Sequence, residues 1–316
     1  MSSHATAVGR SIEVGRSVTV AVSATSANLG PGFDCLGLAL DWREQVDLTV
    51  VESGFVIDVS GEGADRIPRD ESHLIIRSTL VGLADLGVCV PGLRLAGHNT
   101  IPHGRGLGSS SAAIVAGLVA AAGLAEIELD RAWVLRHATA IEGHPDNVAA
   151  ATYGGLVVAY EGPHGVQAAA VRVRPEIGAA VLIPDGEVET ARARALLPDQ
   201  VPHVDAAANA GSAALLVHAL AEDPDRLWDA TRDWLHQQYR EPAMPRSYAL
   251  VTALRAAGYA AVISGAGPTV LVLGTVAQLA GLEDVPAPGF ALRRCGVGTG
   301  AQLGKASHYG NIGQGC

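Results

Sequence analysis

The sequence predicts an α+β protein from the order of its elements, with length and composition setting the size of its core. β-rich runs and apolar helical stretches are interspersed without a regular strand–helix–strand repeat. At 316 residues the chain can bury a large core in one or two domains. Hydrophobic residues make up 48% of it, an ordinary share for a globular protein.

Residues 17–24 alternate and are rich in β-branched side chains, which predicts a strand; 46–51 and 55–60 read the same way. Residues 72–86 carry apolar positions at helical spacing, and 93–98 alternate again. A charge-free apolar helix follows over 109–124, then a helix over 130–141 with Asp130 as its N-cap. Short strands are predicted at 155–160, 168–173 and 179–183. Helices are predicted at 190–197, 205–221, 224–237 and 245–257. Strands at 260–264 and 269–273 flank a glycine turn, and 290–297 forms a last strand. The glycine-rich stretch after Gly298 reads as poorly ordered, and a weak domain boundary falls near 161–165.

Net charge of −10 argues against a nucleic-acid partner or an anionic membrane surface. Cys35, Cys89, Cys295 and Cys316 have no paired spacing, so they read as free thiols of a reducing cytoplasm rather than a disulfide framework or zinc site. Residues 1–15 lack the apolar core of a signal peptide, and the longest apolar run, 112–125, is too short and alanine-rich for a membrane span. These points predict a cytoplasmic protein.

The richest stretch is Pro102-His103-Gly104-Arg105-Gly106-Leu107-Gly108-Ser109-Ser110-Ser111-Ala112. Glycines let a backbone approach a ligand closely, and serine favours a helix N-cap. A helix opening here would aim free N–H groups and its positive dipole end back at the loop, an arrangement that binds phosphate. It is neither a Walker A loop nor a dinucleotide fingerprint, because Ser109 stands where a lysine or a third glycine is required.

Four further segments carry candidate chemistry. Ser26-Ala27-Asn28-Leu29-Gly30-Pro31-Gly32-Phe33-Asp34 sets an amide and a carboxylate on a Gly/Pro turn, or is an ordinary loop. Glu142-Gly143-His144-Pro145-Asp146-Asn147 offers carboxylates suited to Mg²⁺, with a histidine that reads more readily as structural. Ser264-Gly265-Ala266-Gly267-Pro268-Thr269 is either a hairpin turn or a second glycine loop beside the first. Arg194 and Arg240 suit bidentate carboxylate binding, or are solvated surface arginines.

Together these motifs, in this order, resemble the small-molecule kinases named for galactose, homoserine, mevalonate and phosphomevalonate. The first motif, with Glu142-Gly-His-Pro-Asp-Asn, Ala193-Arg194-x-x-Leu-Pro198 and Tyr239-Arg240, is similar to the homoserine-phosphorylating members, over roughly residues 17–300. The resemblance implies a two-domain GHMP kinase fold: an N-terminal nucleotide-binding α+β domain over 17–163, a C-terminal ferredoxin-like α+β domain over 164–300, and a disordered tail over 301–316. It implies transfer of phosphate from ATP to L-homoserine with Mg²⁺, in threonine biosynthesis, by a homodimer. It further implies that Pro102 to Ala112 cradle ATP, that residues 73–76 form part of the adenine pocket, and that Ser110 and Glu142 hold the metal. Asn28, Asp34, Asn147, Arg194, Arg240, Gly265 and Gly267 are implied at the substrate. Glu142, Ser110, Asn147 and Asp146 are the implied catalytic group, Asp146 aligning with the catalytic aspartate of mevalonate kinases.

Overall fold

A computed structural model describes residues 10–305. After a two-residue strand β1 (Arg10–Ser11) come two long antiparallel strands, β2 (Ser17–Asn28) and β3 (Gly32–Val50). Then follow β4 (Gly54–Gly61), helix α1 (Leu74–Asp85), β5 (Val88–Cys89), β6 (Gly92–Asn99), α2 (Ser109–Leu124), α3 (Arg131–Glu142) and α4 (Asp146–Tyr153). Strands β7 (Leu156–Gly162), β8 (Gly165–Val171) and β9 (Ile177–Pro184) lead to α5 (Thr190–Arg194) and α6 (His203–Ala221). The chain continues through α7 (Leu227–Ala230), α8 (Gln237–Arg240), α9 (Pro245–Ala256), β10 (Ala260–Ile263), β11 (Val270–Thr275), β12 (Phe290–Cys295) and β13 (Gln302–Lys305).

One sheet has seven strands, in the order β13-β2-β3-β6-β4 with β7 also on β3 and β8 on β7. Helix α2 packs against it and buries 12 of its 16 residues. A helix apolar on every side must lie inside the core, which is why no amphipathic stripe marks it in the sequence. The second sheet has the order β10-β11-β9-β12, all antiparallel. Numbered along the chain this is the 2-3-1-4 order of a ferredoxin-like domain, so the α+β, two-part expectation holds. Helix α9 packs on β10 and β11. Helix α6 is long and apolar enough to cross a membrane by length and composition, and it buries Asn209, Leu216, Ala219 and Leu220 against the rest of the chain.

Several expected boundaries move. The first motif is not a loop after a strand ending at 24: β2 runs on to Asn28, and β3 begins at Gly32. Ser23, Thr25 and Ser26 are buried with their apolar neighbours, so both faces are covered and the alternation disappears. The helix expected over 224–237 breaks after Ala230 because the Asp233 carboxylate accepts the backbone N–H groups of Leu235, His236 and Gln237. Strand β8 belongs to the seven-stranded sheet, so the boundary at 163/164 does not separate the two sheets. The tail expected from 301 starts as β13, hydrogen-bonded along residues 18–21 of β2; the remainder lies outside the described residues. Cys35, Cys89 and Cys295 are free thiols, and Cys316 lies outside the described residues.

Candidate active site

The glycine loop leaves β6 and ends at α2. Gly104, Gly106 and Gly108 have φ of +64°, +70° and +68°, the left-handed region where side chains are strained. A Cβ on Gly106 would collide with the carbonyl oxygen of Ser264, and one on Gly108 with the Thr25 hydroxyl. The loop is thus built against two other motifs, and both of these positions demand glycine twice over.

Gly108, not a serine, is the N-cap of α2, and it makes no side-chain cap. The backbone N–H groups of Ser109, Ser110 and Ser111 therefore open the helix without a cap, as an anion site needs. Ala112 departs from its expected role: its N–H bonds Gly108 O at 2.8 Å and its side chain is fully buried. Ser111 is also buried, and its hydroxyl turns to Glu142.

Glu142 is the last residue of α3, which stops at Gly143 in a left-handed cap. Its Oε1 accepts the hydroxyls of Ser110 at 2.7 Å and Ser111 at 2.8 Å. Asp146 opens α4 and is almost fully buried; its Oδ1 accepts the N–H of Asn147 at 2.7 Å and lies 3.1 Å from His144 Nδ1. That hydrogen bond, outweighing burial, raises the His144 pKa. The Thr25 hydroxyl donates to Asn147 Oδ1 at 2.7 Å, tying α4 to β2.

In the first motif Asn28, Leu29 and Asp34 adopt φ of +67°, +50° and +53°. Three non-glycine residues in this region mark a strained turn, and such strain clusters at functional sites. Asn28 is a clamp: Nδ2 donates to Gly265 O at 2.9 Å, and Oδ1 accepts the Asp34 N–H at 3.0 Å. The third motif is both things the sequence allowed. It joins the β10–β11 hairpin, and it packs on the glycine loop, with Ser264 Oγ donating to Gly106 O at 2.6 Å.

Neither arginine stands free in solvent: Arg194 is partly exposed but paired, and Arg240 is buried. Arg194 holds Asp34 with both prongs of its guanidinium, at 2.9 and 2.5 Å, which raises the arginine pKa. Arg240 is 1% exposed and, among the described residues, forms no ion pair. Its Nη1 donates to Gly265 O and to His236 Nδ1, each at 3.2 Å, and its Nε is buried without a partner. Burial and nearby Arg194 pull its pKa down to about 10. The Phe33 ring lies 5.5 Å from Arg194 and 5.3 Å from Arg240.

One cavity of about 390 Å³ collects these groups. Its wall includes Pro102 to Ser110, Asn28, Glu142, His144, Asp146, Asn147, Arg194, Arg240, Gly265 and Gly267. Asp34 and the side chains of Ser111 and Ala112 are not on that wall; Asp34 meets it through Arg194. His73, Leu74 and Ile75 also line the cavity, with Ile67 and Pro68, whereas Ile76 is fully buried in the core. His73 caps α1 by accepting the Ile75 N–H, and burial beside Arg69 lowers its pKa to about 4. Among the described residues no three His, Cys, Asp or Glu side chains cluster as metal ligands. A cation here would depend on oxygens of a ligand as well as Glu142 and Ser110, which suits Mg²⁺ bound with phosphates. Phe33, His144 and His236 were not singled out as functional by sequence reasoning. The signal for His236 was its place four residues before Arg240, one helical turn away.

Known proteins resemble this chain along most of its length. The model of the GHMP kinases N terminal domain matches residues 73–155, and that of the GHMP kinases C terminal matches residues 206–281. A homoserine kinase of Cutibacterium acnes is 50% identical over 91% of this chain and 99% of its own length. One of Streptomyces coelicolor is 51% identical over 89% and 92%. A solved homoserine kinase of Cytophaga hutchinsonii superposes with a TM-score of 0.79 at 28% identity, covering 92% of this chain and 98% of that one. Mevalonate kinase of L. major, at 17% identity and a TM-score of 0.69, shares the fold.

Proposed function

The chain belongs to the GHMP kinase family, among its homoserine kinases, and on that premise we propose how its residues divide the work of phosphorylating L-homoserine with ATP. The observation that carries the reading is Arg240: a buried cation, without an ion pair among the described residues, on a cavity wall shared with a glycine loop. Such a charge needs an anion from the ligand. Arg194 and Asp34 supply one cation and one anion beside it, the set that a zwitterionic amino acid would satisfy.

The N–H groups of Ser109 to Ser111 and the glycine loop cradle the ATP phosphates, and residues 73–75 pack on the base. Arg240 and Arg194 take the substrate carboxylate, and Asp34 takes its ammonium once the Arg194–Asp34 pair rearranges. Asn28 acts chiefly by holding the first and third motifs together. Ser110 and Glu142 would hold Mg²⁺, whose charge neutralises the phosphates during transfer. Asn147 and His144 position the hydroxyl, with Asp146 behind His144. The hydroxyl oxygen attacks the γ-phosphorus, the bond to the β-phosphate oxygen breaks, and ADP leaves. The hydroxyl proton passes to the transferred phosphoryl group, and Asp146, whose Oδ1 accepts the Asn147 N–H and lies 3.1 Å from His144 Nδ1, orients these two residues. The same reading places the enzyme in the cytoplasm as a homodimer, with the free thiols supporting a reducing compartment.

A coupled assay with Mg-ATP and a panel of alcohols tests the assignment. Homoserine should be turned over fastest, with mevalonate and galactose poor; the reverse order would overturn it.

A further inference from the structure

His236 is wholly buried between Arg240 and the turn of the first motif. Its Nε2 lies 2.7 Å from Gly30 O, and its Nδ1 lies 3.2 Å from Arg240 Nη1. These partners leave one protonation state. A carbonyl oxygen can only accept, so Nε2 carries the hydrogen; a guanidinium can only donate, so Nδ1 is bare. The ring is neutral, and burial favours that form. Phe33 lies against it, with ring centroids 5.2 Å apart, and the same Phe33 ring faces both arginines.

The consequence concerns Arg240. Its only protein acceptors among the described residues are Gly265 O and His236 Nδ1, both reached from Nη1. One prong is thereby pinned on a neutral acceptor, and among the described residues no carboxylate pairs with the charge. Asp233 forms no ion pair with Arg240: its carboxylate serves three backbone N–H groups and lies 3.6 Å from His236 Nε2. A carboxylate at the place of the imidazole would have neutralised Arg240 and removed its need for a ligand anion. A neutral ring orients the guanidinium and leaves its charge available.

We propose that His236 is a positioning residue for substrate recognition, orienting Arg240 by accepting from its Nη1 at Nδ1, while donation from Nε2 to Gly30 O fixes the tautomer that leaves Nδ1 an acceptor. The inference rests on the reading of Arg240 as a carboxylate-binding group.

Two substitutions separate the functions of the ring. Asparagine puts an amide oxygen near the level of Nδ1 and keeps an acceptor for Arg240. Glutamine puts an amide nitrogen near the level of Nε2 and keeps the donor to Gly30. Steady-state kinetics and melting temperatures would be compared for His236→Asn, His236→Gln, Arg240→Ala and the double variant His236→Gln/Arg240→Ala. His236→Gln should raise the homoserine KM about tenfold or more while the ATP KM moves less than twofold, as expected for losing a bond to a charged group. His236→Asn should stay within about threefold, and the double variant should be no worse than Arg240→Ala alone. Equal KM effects of Asn and Gln, or a full additional loss in the double variant, would overturn the proposal. If Arg240→Ala raises the homoserine KM and His236→Gln does not, the role of His236 alone fails; if Arg240→Ala leaves it unchanged, the carboxylate reading fails and takes this inference with it. Nitrogen-15 NMR of the histidines, assigned by the signal missing in His236→Asn, tests the geometry in the unaltered enzyme. A neutral ring with the hydrogen on Nε2 is expected between pH 6 and 8, and a hydrogen on Nδ1 would refute the arrangement.

Discussion

Arg194 and Asp34 lie 160 residues apart in sequence and meet as a two-pronged ion pair, at 2.9 and 2.5 Å. The pair joins the short helix α5, which follows the ferredoxin-like strand β9, to the first-motif turn of the other sheet. Each side chain is about one-third exposed, 34% and 33%, so solvent screens the pair and its share of stability is small, about 0–1 kcal/mol. Its importance lies in what it holds ready for a zwitterion.

Arg194→Ala should therefore leave the melting temperature almost unchanged and raise the homoserine KM between about tenfold and a hundredfold, the range for a charge-assisted bond. The ATP KM should stay near its original value. A selective loss of ATP affinity would put Arg194 at the phosphates instead.

Glu142→Gln preserves size and still accepts the two serine hydroxyls, so folding should survive. Removing the charge should lower kcat by at least about 10²-fold, the scale for one strong electrostatic contact. Rates measured across a Mg²⁺ titration check this; a folded variant with near-normal kcat at low Mg²⁺ would shift the metal role to Asp146.

Gly106→Ala and Gly258→Ala form a matched pair. Both glycines have positive φ, +70° and +91°, but a Cβ at Gly258 meets nothing within 4 Å, whereas one at Gly106 strikes the Ser264 carbonyl. Alanine at 258 should cost about 1–2 kcal/mol from backbone strain alone. At 106 the loops must also separate, so the loss should be about 3 kcal/mol or more, with weakened ATP binding. Denaturant unfolding of the two variants gives the comparison.

His73 makes a pH-dependent contribution. Its pKa falls from the ordinary 6.5 to about 4 in the folded protein, through burial and Arg69. In the window between these values the unfolded chain binds more protons than the folded one. Stability is therefore complete above about pH 6.5 and declines as pH falls toward 4. Protonation also removes the acceptor that caps α1. Melting temperatures between pH 7 and 4 should fall less steeply in His73→Asn, which retains a capping side chain; parallel curves for the two proteins would show that His73 is not the titrating group.

The glycine loop, the buried helix behind it, the two later glycine and acidic motifs and the two arginines were all legible in the chain, because each is local. Positive φ, helix start signals and charge-free apolar runs are written in neighbouring residues. Strand β2 past residue 24 was not legible: a strand covered on both faces loses its alternation. The Asp233 break was missed because one side chain's choice of backbone partners overrides helical spacing, and the cap at Gly108 because a left-handed glycine starts the helix with no side-chain cap to signal it. By itself the sequence determined which groups were present: a glycine loop with free N–H groups, the Glu142 and Asp146 carboxylates, two guanidinium groups. Only the tertiary structure decided the pairings — Arg194 on Asp34, Asn28 and Arg240 on Gly265, Ser110 on Glu142, His236 on Arg240. Among these, Arg194–Asp34, Asn28–Gly265 and Ser110–Glu142 join segments more than 30 residues apart. The physical reason is that charge and hydrogen-bonding capacity belong to each residue, whereas their satisfaction depends on which distant segments the two sheets bring to one cavity.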